Sequence, residues 1–158
     1  MKDVGEKQPV AKLPGARLLL VVAPYYRDIA DHLQRGAETV AAEAGATLDR
    51  VFVPGAFEIP GAIAHAARTG AYDGFVALGC VVRGETSHYD YVCGESARGL
   101  MDLSIREELA IGYGVLTVET IAQAEERAKT DRGDKGGEAT RACLAMIALK
   151  RRFAETGR

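Results

Sequence analysis

Short apolar runs alternate with segments of helical periodicity along most of this chain. The first run, residues 17–23, is almost unbroken by polar side chains, as expected of a strand that is covered on both faces of a parallel sheet. Further strands are predicted over residues 47–53, 74–82 and 111–117, and a helical segment follows each of them. Because parallel neighbours need right-handed crossover connections, this order predicts an α/β protein, a three-layer α/β/α sandwich with a central four-stranded parallel sheet.

Local signals define the ends of the first three predicted helices. Asp28 is placed to cap the first helix, and Gly45 is placed to end it. The second helix is predicted over residues 58–69, where Pro60 is tolerated in the first turn. A long third helix is predicted over residues 89–109.

Two more helices are predicted in the last third of the chain. Thr120 and Gln123 form a capping-box pattern, which indicates a helix that reaches about Thr130. The glycine-rich segment 133–137 breaks the pattern before a final helix that reaches about Phe153. Four strand–helix units followed by one additional helix indicate a flavodoxin-like fold.

The length and composition indicate one domain. A chain of 158 residues, of which 47% are hydrophobic, can bury roughly two-thirds of its unfolded surface. The start is polar and Pro14-Gly15 precedes the first strand, so we expect a flexible N-terminal segment over residues 1–13 and a single domain over 14–158. The start lacks the apolar run of a secretory signal, and no segment reaches the ~18 apolar residues of a membrane span. We therefore expect a soluble, cytoplasmic protein.

Charge, cysteine and histidine patterns argue against several classes of partner. The formal net charge is −2, and basic residues are interspersed with acidic ones, so we expect no nucleic-acid partner. Cys80, Cys93 and Cys143 include no CxxC pair, which favours reduced, buried thiols. The histidines show no metal-binding spacing, so we expect no metal site.

Chemically versatile residues follow three of the four predicted strands. They lie in residues 24–27 (PYYR), 54–60 (PGAFEIP) and 83–90 (RGETSHYD). Ligands of open parallel sheets bind beyond the carboxyl ends of the strands, where these segments converge. Aromatic rings, glycines, a carboxylate and a histidine at one edge can stack on a ligand, let backbone approach it and transfer protons. The sequence therefore predicts a small-molecule site at this edge.

Each of these residues also has an ordinary structural explanation when it is taken alone. Tyr25 and Tyr26 could form an amphipathic cover over the core, and Gly55 could simply make a strand-to-helix turn. Glu58 could be a first-turn carboxylate favoured by the helix dipole, and His88 could be a surface residue near a helix start. The residue pattern alone leaves both explanations open.

Potential anion-binding groups are found in two places. Residues 84–86 (GET) lead into a helix, whose unpaired backbone N–H groups and positive dipole end favour phosphate. Arg127 and Lys135 flank the break between the last two helices, where they could equally be solvated surface charges.

Two long segments resemble the signature sequences of the lumazine synthase family. They are residues 53–60 (VPGAFEIP) and 79–90 (GCVVRGETSHYD). The similarity runs from about Leu18 to Phe153. Several long motifs occur in the correct order, which is not expected to happen by chance. It is extended by residues 114–117 (GVLT), by Gln123, Ala124 and Arg127, and by Lys135-Gly136.

The resemblance implies a transferase of riboflavin biosynthesis that needs no cofactor and no metal. Members of this family condense 5-amino-6-(D-ribitylamino)uracil with 3,4-dihydroxy-2-butanone 4-phosphate to give 6,7-dimethyl-8-ribityllumazine, phosphate and water. The expected partners are therefore two small molecules, a pyrimidine and a sugar phosphate. Positioning of these reactive substrates is expected to account for much of the catalysis.

The resemblance also implies roles for residues at the predicted edge of the sheet. Tyr25 is expected to stack on the pyrimidine, and backbone groups of Val81 and Val82 are expected to bind its polar edge. His88 is the expected proton-transfer residue. The substrate-binding residues after the second strand are Gly55, Ala56, Phe57 and Glu58, of which Ala56 and Glu58 hold the ribityl chain.

The implied phosphate site combines a helix start with cations. Backbone groups at the start of the third helix bind the phosphate, and the forked donors of an arginine clamp its oxygens. The site lies between neighbouring subunits and also uses Tyr113, so the active unit is expected to be a homopentamer. The residues implied in phosphate binding are Gly84, Glu85, Thr86, Arg127 and Lys135.

The state of assembly is less closely defined, because members of the family form pentamers, pairs of pentamers or sixty-subunit capsids. Pro9 and Pro14 hinder addition of the head as a strand to a neighbour's sheet. Asp131, Arg132 and Asp134 add charge to the turn between the last two helices, although the turn is short enough for a capsid. These features favour a free pentamer.

Two departures from the family pattern and two rival functions bear on this interpretation. Tyr25 stands where phenylalanine or tryptophan is usual, and Tyr26 replaces a frequent asparagine. A non-catalytic member of the fold, which binds a flavin or a lumazine or builds a shell, is disfavoured because His88 and Arg127 are both present. A flavodoxin-like nucleotide-binding module is disfavoured because residues 24–27 contain no phosphate loop.

Overall fold

The structure, a computed structural model, describes residues 6–157 of the chain. Strands and α-helices alternate along these residues. The strands are β1 (Arg17–Val22), β2 (Thr47–Phe52), β3 (Gly74–Val82) and β4 (Ile111–Val118). The helices are α1 (Arg27–Ala44), α2 (Ile59–Ala67), α3 (His88–Arg106), α4 (Ile121–Ala128) and α5 (Lys135–Thr156), and a 3₁₀ turn at Ala56–Glu58 precedes α2.

The strands form one parallel sheet in the order β2-β1-β3-β4, with apolar side chains on both of its faces. Successive side chains of a strand point to opposite faces. Leu18, Leu20 and Val22 of β1 pack with α1, α4 and α5, whereas Leu19 and Val21 pack with α2 and α3. Two buried layers therefore lie on the two faces of the sheet, although the edge strand β2 is largely exposed. The predicted α/β/α sandwich with a four-stranded parallel sheet is confirmed.

The order of the strands reverses between β1 and β3. The chain steps outward from β1 to β2 and then crosses back, so that β3 pairs with the other side of β1. The helix after β1 covers one face of the sheet, and the helix after β3 covers the opposite face. The connections that leave these two strands therefore diverge, which opens a crevice at their carboxyl ends.

The first half of α5 packs directly against the backbone of α1 and β4. A Cβ on Gly136 would lie 2.7 Å from the carbonyl carbon of Leu33 in α1. A Cβ on Gly112 of β4 would lie 2.7 Å from the carbonyl carbon of Ala139 in α5. Side chains do not approach backbone this closely, so these glycines are what allows α5 to pack in its observed place.

Local capping signals were predicted with mixed success. Gly45 ends α1 in the left-handed conformation, with φ 75°, as predicted. The Gln123 N–H donates to the Thr120 hydroxyl at 3.2 Å, which confirms the cap of α4. The prediction that Asp28 caps α1 is wrong, because Tyr26 occupies the cap position with φ −103° and makes no side-chain cap hydrogen bond. Asp28 lies in the first turn, where its charge still favours the helix dipole.

Several helix limits differ from the prediction by one to three residues, and two of these differences have identifiable reasons. Glu58 belongs to the 3₁₀ turn, so α2 begins at Ile59, with Pro60 in its first turn as predicted. The third helix ends at Arg106 because Glu108 adopts a left-handed conformation, with φ 54°, that does not continue a helix. Both differences amount to a few residues and leave the order of elements unchanged.

The described part of the N-terminal segment contacts the domain. Val10, Ala11 and Leu13 pack against the core cluster that contains α1, and the Leu13 N–H donates to the Ala44 carbonyl at 2.9 Å. Residues 1–5 lie outside the described residues, and the flexibility expected of residues 1–13 stays a prediction. Within residues 6–157, no helix has the length and apolar character needed to cross a membrane.

Candidate active site

A cavity of about 730 Å³ opens at the carboxyl ends of β1, β2 and β3. It occupies the crevice where the connections after β1 and β3 diverge, as expected for a ligand site of an open parallel sheet. Its walls come from the segments that follow these three strands and from the end of β3. The lining residues are Tyr25, Tyr26, Pro54, Gly55, Ala56, Phe57, Glu58, Cys80, Val81, Val82, Gly84, Thr86, His88, Tyr89, Tyr91 and Val92.

Two tyrosines after β1 form one wall of the cavity. Tyr26 is half-buried and packs against the core, whereas Tyr25 is 75% exposed. The ring centroids are 5.0 Å apart and the ring planes make an angle of 72°, which is an edge-to-face contact. Burial, together with the neighbouring Tyr25, raises the pKa of Tyr26, so its hydroxyl is protonated at neutral pH. Tyr26 therefore braces Tyr25, whose ring remains open to a ligand.

The 3₁₀ turn after β2 brings a carboxylate to the cavity. The Glu58 N–H donates to the Gly55 carbonyl at 3.1 Å, which closes the turn. A Cβ on Gly55 would lie 3.2 Å from Glu58 Oε2, so the glycine leaves room for this carboxylate. Ala56 is buried, and Phe57 is 57% exposed. The turn therefore offers backbone groups and a negative charge to a ligand.

His88 is the first residue of α3 and lines the cavity with an exposed side chain. Its backbone N–H donates to the Thr86 hydroxyl at 3.4 Å. Tyr91 and Val92 lie three and four residues further along α3 and line the same cavity, because this spacing places them on the helix face of His88. These two residues were not predicted, although their spacing from His88 is a signal that could have identified them.

Arg83, directly after β3, connects three segments around the cavity. Its guanidinium pairs with Glu119 at 2.9 Å and with Asp90 in the first turn of α3 at 3.3 Å. Its Cζ lies 4.2 Å from the centroid of the Tyr89 ring, and Tyr89 lines the cavity. The hydrogen bond with Glu119 raises the pKa of Arg83. These exposed contacts each add little stability, but together they orient the start of α3.

Four predicted substrate-binding residues are absent from the lining of this cavity. Glu85 lies between two lining residues, but its side chain is exposed. Tyr113 lies on β4 with 49% of its surface exposed, and burial raises the pKa of its hydroxyl. Arg127 lies near the end of α4, and Lys135 lies at the start of α5. The cavity therefore receives neither of the two predicted cations from its own chain.

The two cations flank residues 129–134, which we call the α4–α5 turn. Arg127 is exposed, and its Nη1 donates to a backbone carbonyl one turn earlier at 3.0 Å. Lys135 Nζ donates to Glu138 Oε2 at 2.8 Å. Asp134 was expected to add charge to the surface of this turn, but it is only 6% exposed. Its carboxylate is enclosed by neighbouring helices instead of facing solvent.

The sequence matches one family of known proteins over most of its length. A family model described as 6,7-dimethyl-8-ribityllumazine synthase matches residues 15–151. The chain belongs to this family. It is 54% identical over 149 residues to the 6,7-dimethyl-8-ribityllumazine synthase of Methylobacterium radiotolerans, which covers 94% of this chain and 91% of the relative. It is 55% identical over 149 residues to the 6,7-dimethyl-8-ribityllumazine synthase 1 of Rhizobium meliloti, a match that covers 91% of this chain and 97% of that relative.

The segments that resemble lumazine synthases supply most of the cavity wall. Residues 53–60 and 79–90 contain every lining residue except Tyr25, Tyr26, Tyr91 and Val92. Three lining residues within these segments, Pro54, Cys80 and Tyr89, were not predicted. The structure brings together the predicted residues Tyr25, Gly55, Ala56, Phe57, Glu58, Val81, Val82, Gly84, Thr86 and His88.

The cavity of this lumazine synthase family member contains a thiol that burial keeps protonated at neutral pH. Cys80 lines the cavity, and burial raises its pKa to about 11. Burial also raises the pKa of Cys93, and it raises the pKa of Cys143 to about 12. Cys143 is buried as predicted, whereas Cys93 is only half-buried. Among residues 6–157, no group of three or more His, Cys, Asp and Glu side chains could hold a metal ion.

Proposed function

We propose that this protein condenses 5-amino-6-(D-ribitylamino)uracil with 3,4-dihydroxy-2-butanone 4-phosphate to form 6,7-dimethyl-8-ribityllumazine, with loss of phosphate and water. The observation that carries the proposal is a single cavity that contains Tyr25, Glu58 and His88 in a chain of the lumazine synthase family. The cavity volume, about 730 Å³, is typical of small-molecule sites. The protein is a transferase of riboflavin biosynthesis.

The pyrimidine ring binds between Tyr25 and the end of β3 in this proposal. The exposed ring of Tyr25, braced by Tyr26, offers a flat apolar face for stacking. The pairing of β3 with β1 ends where Leu78 lies opposite Val22, so residues 79–82 extend beyond β1. Alternate backbone groups of this extension point away from β4 and are available to a ligand. The Arg83 N–H donates to the Val118 carbonyl, so the groups of Val81 face β4 and those of Val82 point away from it. The free groups support the proposed role of Val82 in binding the polar edge of the ring, whereas the role of Val81 rests on the resemblance to the family.

The ribityl chain binds along the 3₁₀ turn after β2. Its hydroxyl groups can donate to the Glu58 carboxylate and to backbone carbonyls, which are acceptors of suitable geometry. Gly55 supports this role because its lack of a side chain leaves room for the carboxylate, and Ala56 and Phe57 complete the turn.

His88 transfers protons during the condensation. When an amine adds to a ketone and water is released, a proton must leave the nitrogen and another must reach the departing oxygen. Imidazole can act as both acid and base near neutral pH. The position of His88 at the start of α3, with its side chain on the cavity, supports this role.

The phosphate of the second substrate binds at the start of α3. Gly84, Glu85 and Thr86 precede this helix, where free backbone N–H groups and the helix dipole attract an anion. The carboxylate of Glu85 repels phosphate, so only its backbone suits this role. Because the cavity of one chain lacks Arg127 and Lys135, a neighbouring subunit supplies these cations, together with Tyr113, in this proposal.

The same proposal includes a free homopentamer as the active unit. Tyr91, Met101 and Ile105 of α3 are 68%, 59% and 68% exposed. Tyr91 and Ile105 are two heptads apart and Met101 lies between them, so the three side chains form one apolar stripe along the helix. Exposed apolar side chains grouped on one helix face are typical of a subunit interface. The three free cysteines suit the reducing cytoplasm, where we place the protein.

Two measurements test this proposal. Purified protein is mixed with both substrates, and the absorbance of the lumazine product is compared with the uncatalysed background. Condensation above background is expected, and a folded protein that does not accelerate it would refute the proposed activity. Sedimentation velocity is expected to give the mass of a pentamer, and a smaller mass for Met101→Asp. A monomeric wild-type protein would refute the assembly.

A further inference from the structure

An aspartate with left-handed backbone starts α5 beside the proposed cations. Asp134 has φ 48° and ψ 46°, and it directly precedes Lys135, the first residue of α5. Besides glycine, asparagine and aspartate are the residues that most often adopt this conformation. Asp134 is also buried, with 6% of its surface exposed. A strained backbone and a buried charge at one residue both require compensating contacts.

The Asp134 carboxylate occupies a slot between α1 and α5. Gly36 of α1 and Gly137 of α5 line this slot, and a Cβ on either would collide with the carboxylate. Arg141 Nη1 lies 3.5 Å from Asp134 Oδ2, and only 12% of the Arg141 side chain is exposed. Lys7 Nζ lies 3.6 Å from the same oxygen, but its side chain is 52% exposed. The pairing with Arg141 is therefore the better shielded of the two.

The buried pair is incompletely hydrogen-bonded within residues 6–157. Asp134 Oδ1 and Arg141 Nη1 are both buried there without a hydrogen bond. Removing one charge of such a pair leaves the other buried and uncompensated, which is far more disruptive than the loss of an exposed pair. The position of the carboxylate in its slot therefore depends more on Arg141 than on the exposed Lys7.

Backbone contacts connect Asp134 to the residue that carries the first cation. The Asp134 N–H donates to the Lys129 carbonyl at 3.0 Å, and the Gly133 N–H donates to the Glu126 carbonyl at 2.9 Å. A Cβ on Gly133 would lie 2.8 Å from the Cα of Arg127, so the α4–α5 turn packs directly on the backbone of Arg127. A displacement of Asp134 must therefore move the start of α5 relative to Arg127.

We propose that Asp134, held by Arg141, is a positioning residue that sets the separation of Arg127 and Lys135 for phosphate binding. This inference rests on the proposed function, because the phosphorylated substrate is the shared ligand of the two cations. Two cations bind one phosphate well only when their spacing matches its oxygens, and small misplacements weaken such contacts strongly. Asp134 is buried and does not line the cavity, so we expect its replacement to affect the phosphorylated substrate alone.

The variant Asp134→Asn tests the proposal. Asparagine keeps the size and the left-handed preference of aspartate but removes the charge that pairs with Arg141. We expect the KM for the phosphorylated substrate, and the inhibition constant of inorganic phosphate, to rise at least about fivefold. The KM for the pyrimidine substrate and kcat at saturation stay within about twofold of wild type, since the cavity is intact. Asp131→Asn, the same charge change at an exposed position of the same turn, is the matched control and leaves all constants unchanged.

Several outcomes would overturn this inference. A folded Asp134→Asn protein with wild-type constants for the phosphorylated substrate and for phosphate contradicts it. An equal rise of both KM values indicates a structural role only, and also contradicts it. If the single variant does not fold, Asp134→Asn/Arg141→Gln leaves no lone charge in the slot, and the same selective rise is expected. Failure of wild-type condensation would instead refute the proposed function, so the two failures are distinguishable.

Discussion

The cavity and the α4–α5 turn are built in opposite ways. The cavity is lined by segments of one chain, and its stacking ring, carboxylate and imidazole all border one volume of about 730 Å³. The turn carries a cation on each flank, but neither lines the cavity of the same chain. One region is lined by residues of a single subunit, whereas the other meets a ligand only in the proposed pentamer.

This difference separates two kinds of effect. A substitution in the cavity should change the chemical step in the subunit that carries it. A substitution in the turn should change the binding of one substrate in a neighbouring subunit. Variants of the two regions should therefore differ in which kinetic constant changes and in which subunit.

The largest effect is expected from His88→Ala. Loss of a proton-transfer group should lower kcat about 100-fold, while positioning of the two substrates leaves activity above the uncatalysed background. Steady-state kinetics with both substrates measure it. His65→Ala, which changes an exposed histidine of α2 outside the cavity lining, is the control and should leave kcat unchanged. A His88→Ala enzyme with wild-type kcat would contradict the role of the cavity in proton transfer.

A somewhat smaller effect is expected from Arg127→Ala. Loss of a charged contact costs about 1.5–3 kcal/mol, which is roughly 10- to 100-fold in kcat/KM for the phosphorylated substrate. The KM for the pyrimidine substrate should not change. Arg132→Ala removes a charge from the exposed surface of the same turn and serves as the control. If both arginine variants behave alike, Arg127 is a surface charge and not a phosphate clamp.

Mixing the two variants tests directly whether the regions act across subunits. His88→Ala and Arg127→Ala chains, co-expressed with different tags, should form mixed assemblies. Random assembly pairs an intact cavity with an intact cation in about a quarter of the interfaces, so about a quarter of wild-type activity should return. If the two regions served the same chain, no intact site would form and the mixture would show only the residual activity of its parents.

The smallest effect is expected from Thr120→Ala, which removes the cap of α4. The Thr120 hydroxyl accepts from the Gln123 N–H at 3.2 Å, and loss of such a cap lowers the free energy of unfolding by about 1 kcal/mol. Urea unfolding at fixed protein concentration measures it. Thr39→Ala, where the lost hydroxyl donates within α1 to the Arg35 carbonyl, is the control and should cost less. Equal losses in both variants would argue against a specific cap.

The fold was predictable because its signals are local and redundant. The limits of β3 agree with the prediction at both ends, since a continuous apolar run from Gly74 to Val82 is followed at once by Arg83. The cap of α1 was not predictable in the same way. Asp28 has the preferred residue type, but the extended backbone of Tyr26 decides where the helix begins. A capping preference is weaker than the tertiary contacts that fix a loop.

The cavity was predictable because parallel strands bring their carboxyl ends to one edge. The segments that contain Tyr25, Glu58 and His88 meet there as expected. The burial of Asp134 was not predictable, because a charged residue after a glycine is typical of an exposed turn. The slot that encloses it depends on Gly36, which is distant in sequence and belongs to another helix. Contacts of this kind leave no local trace in the sequence.

The direct packing of α5 on backbone has a consequence for sequence divergence among related proteins. At Gly136 and Gly112 even an alanine would require α5 to move outward, and Lys135 at its first turn would move with it. These two positions can therefore be used to interpret a newly found relative. A relative with glycine at both can keep the cation geometry proposed here, whereas one with a larger residue at either is expected to use a different phosphate clamp or a different substrate.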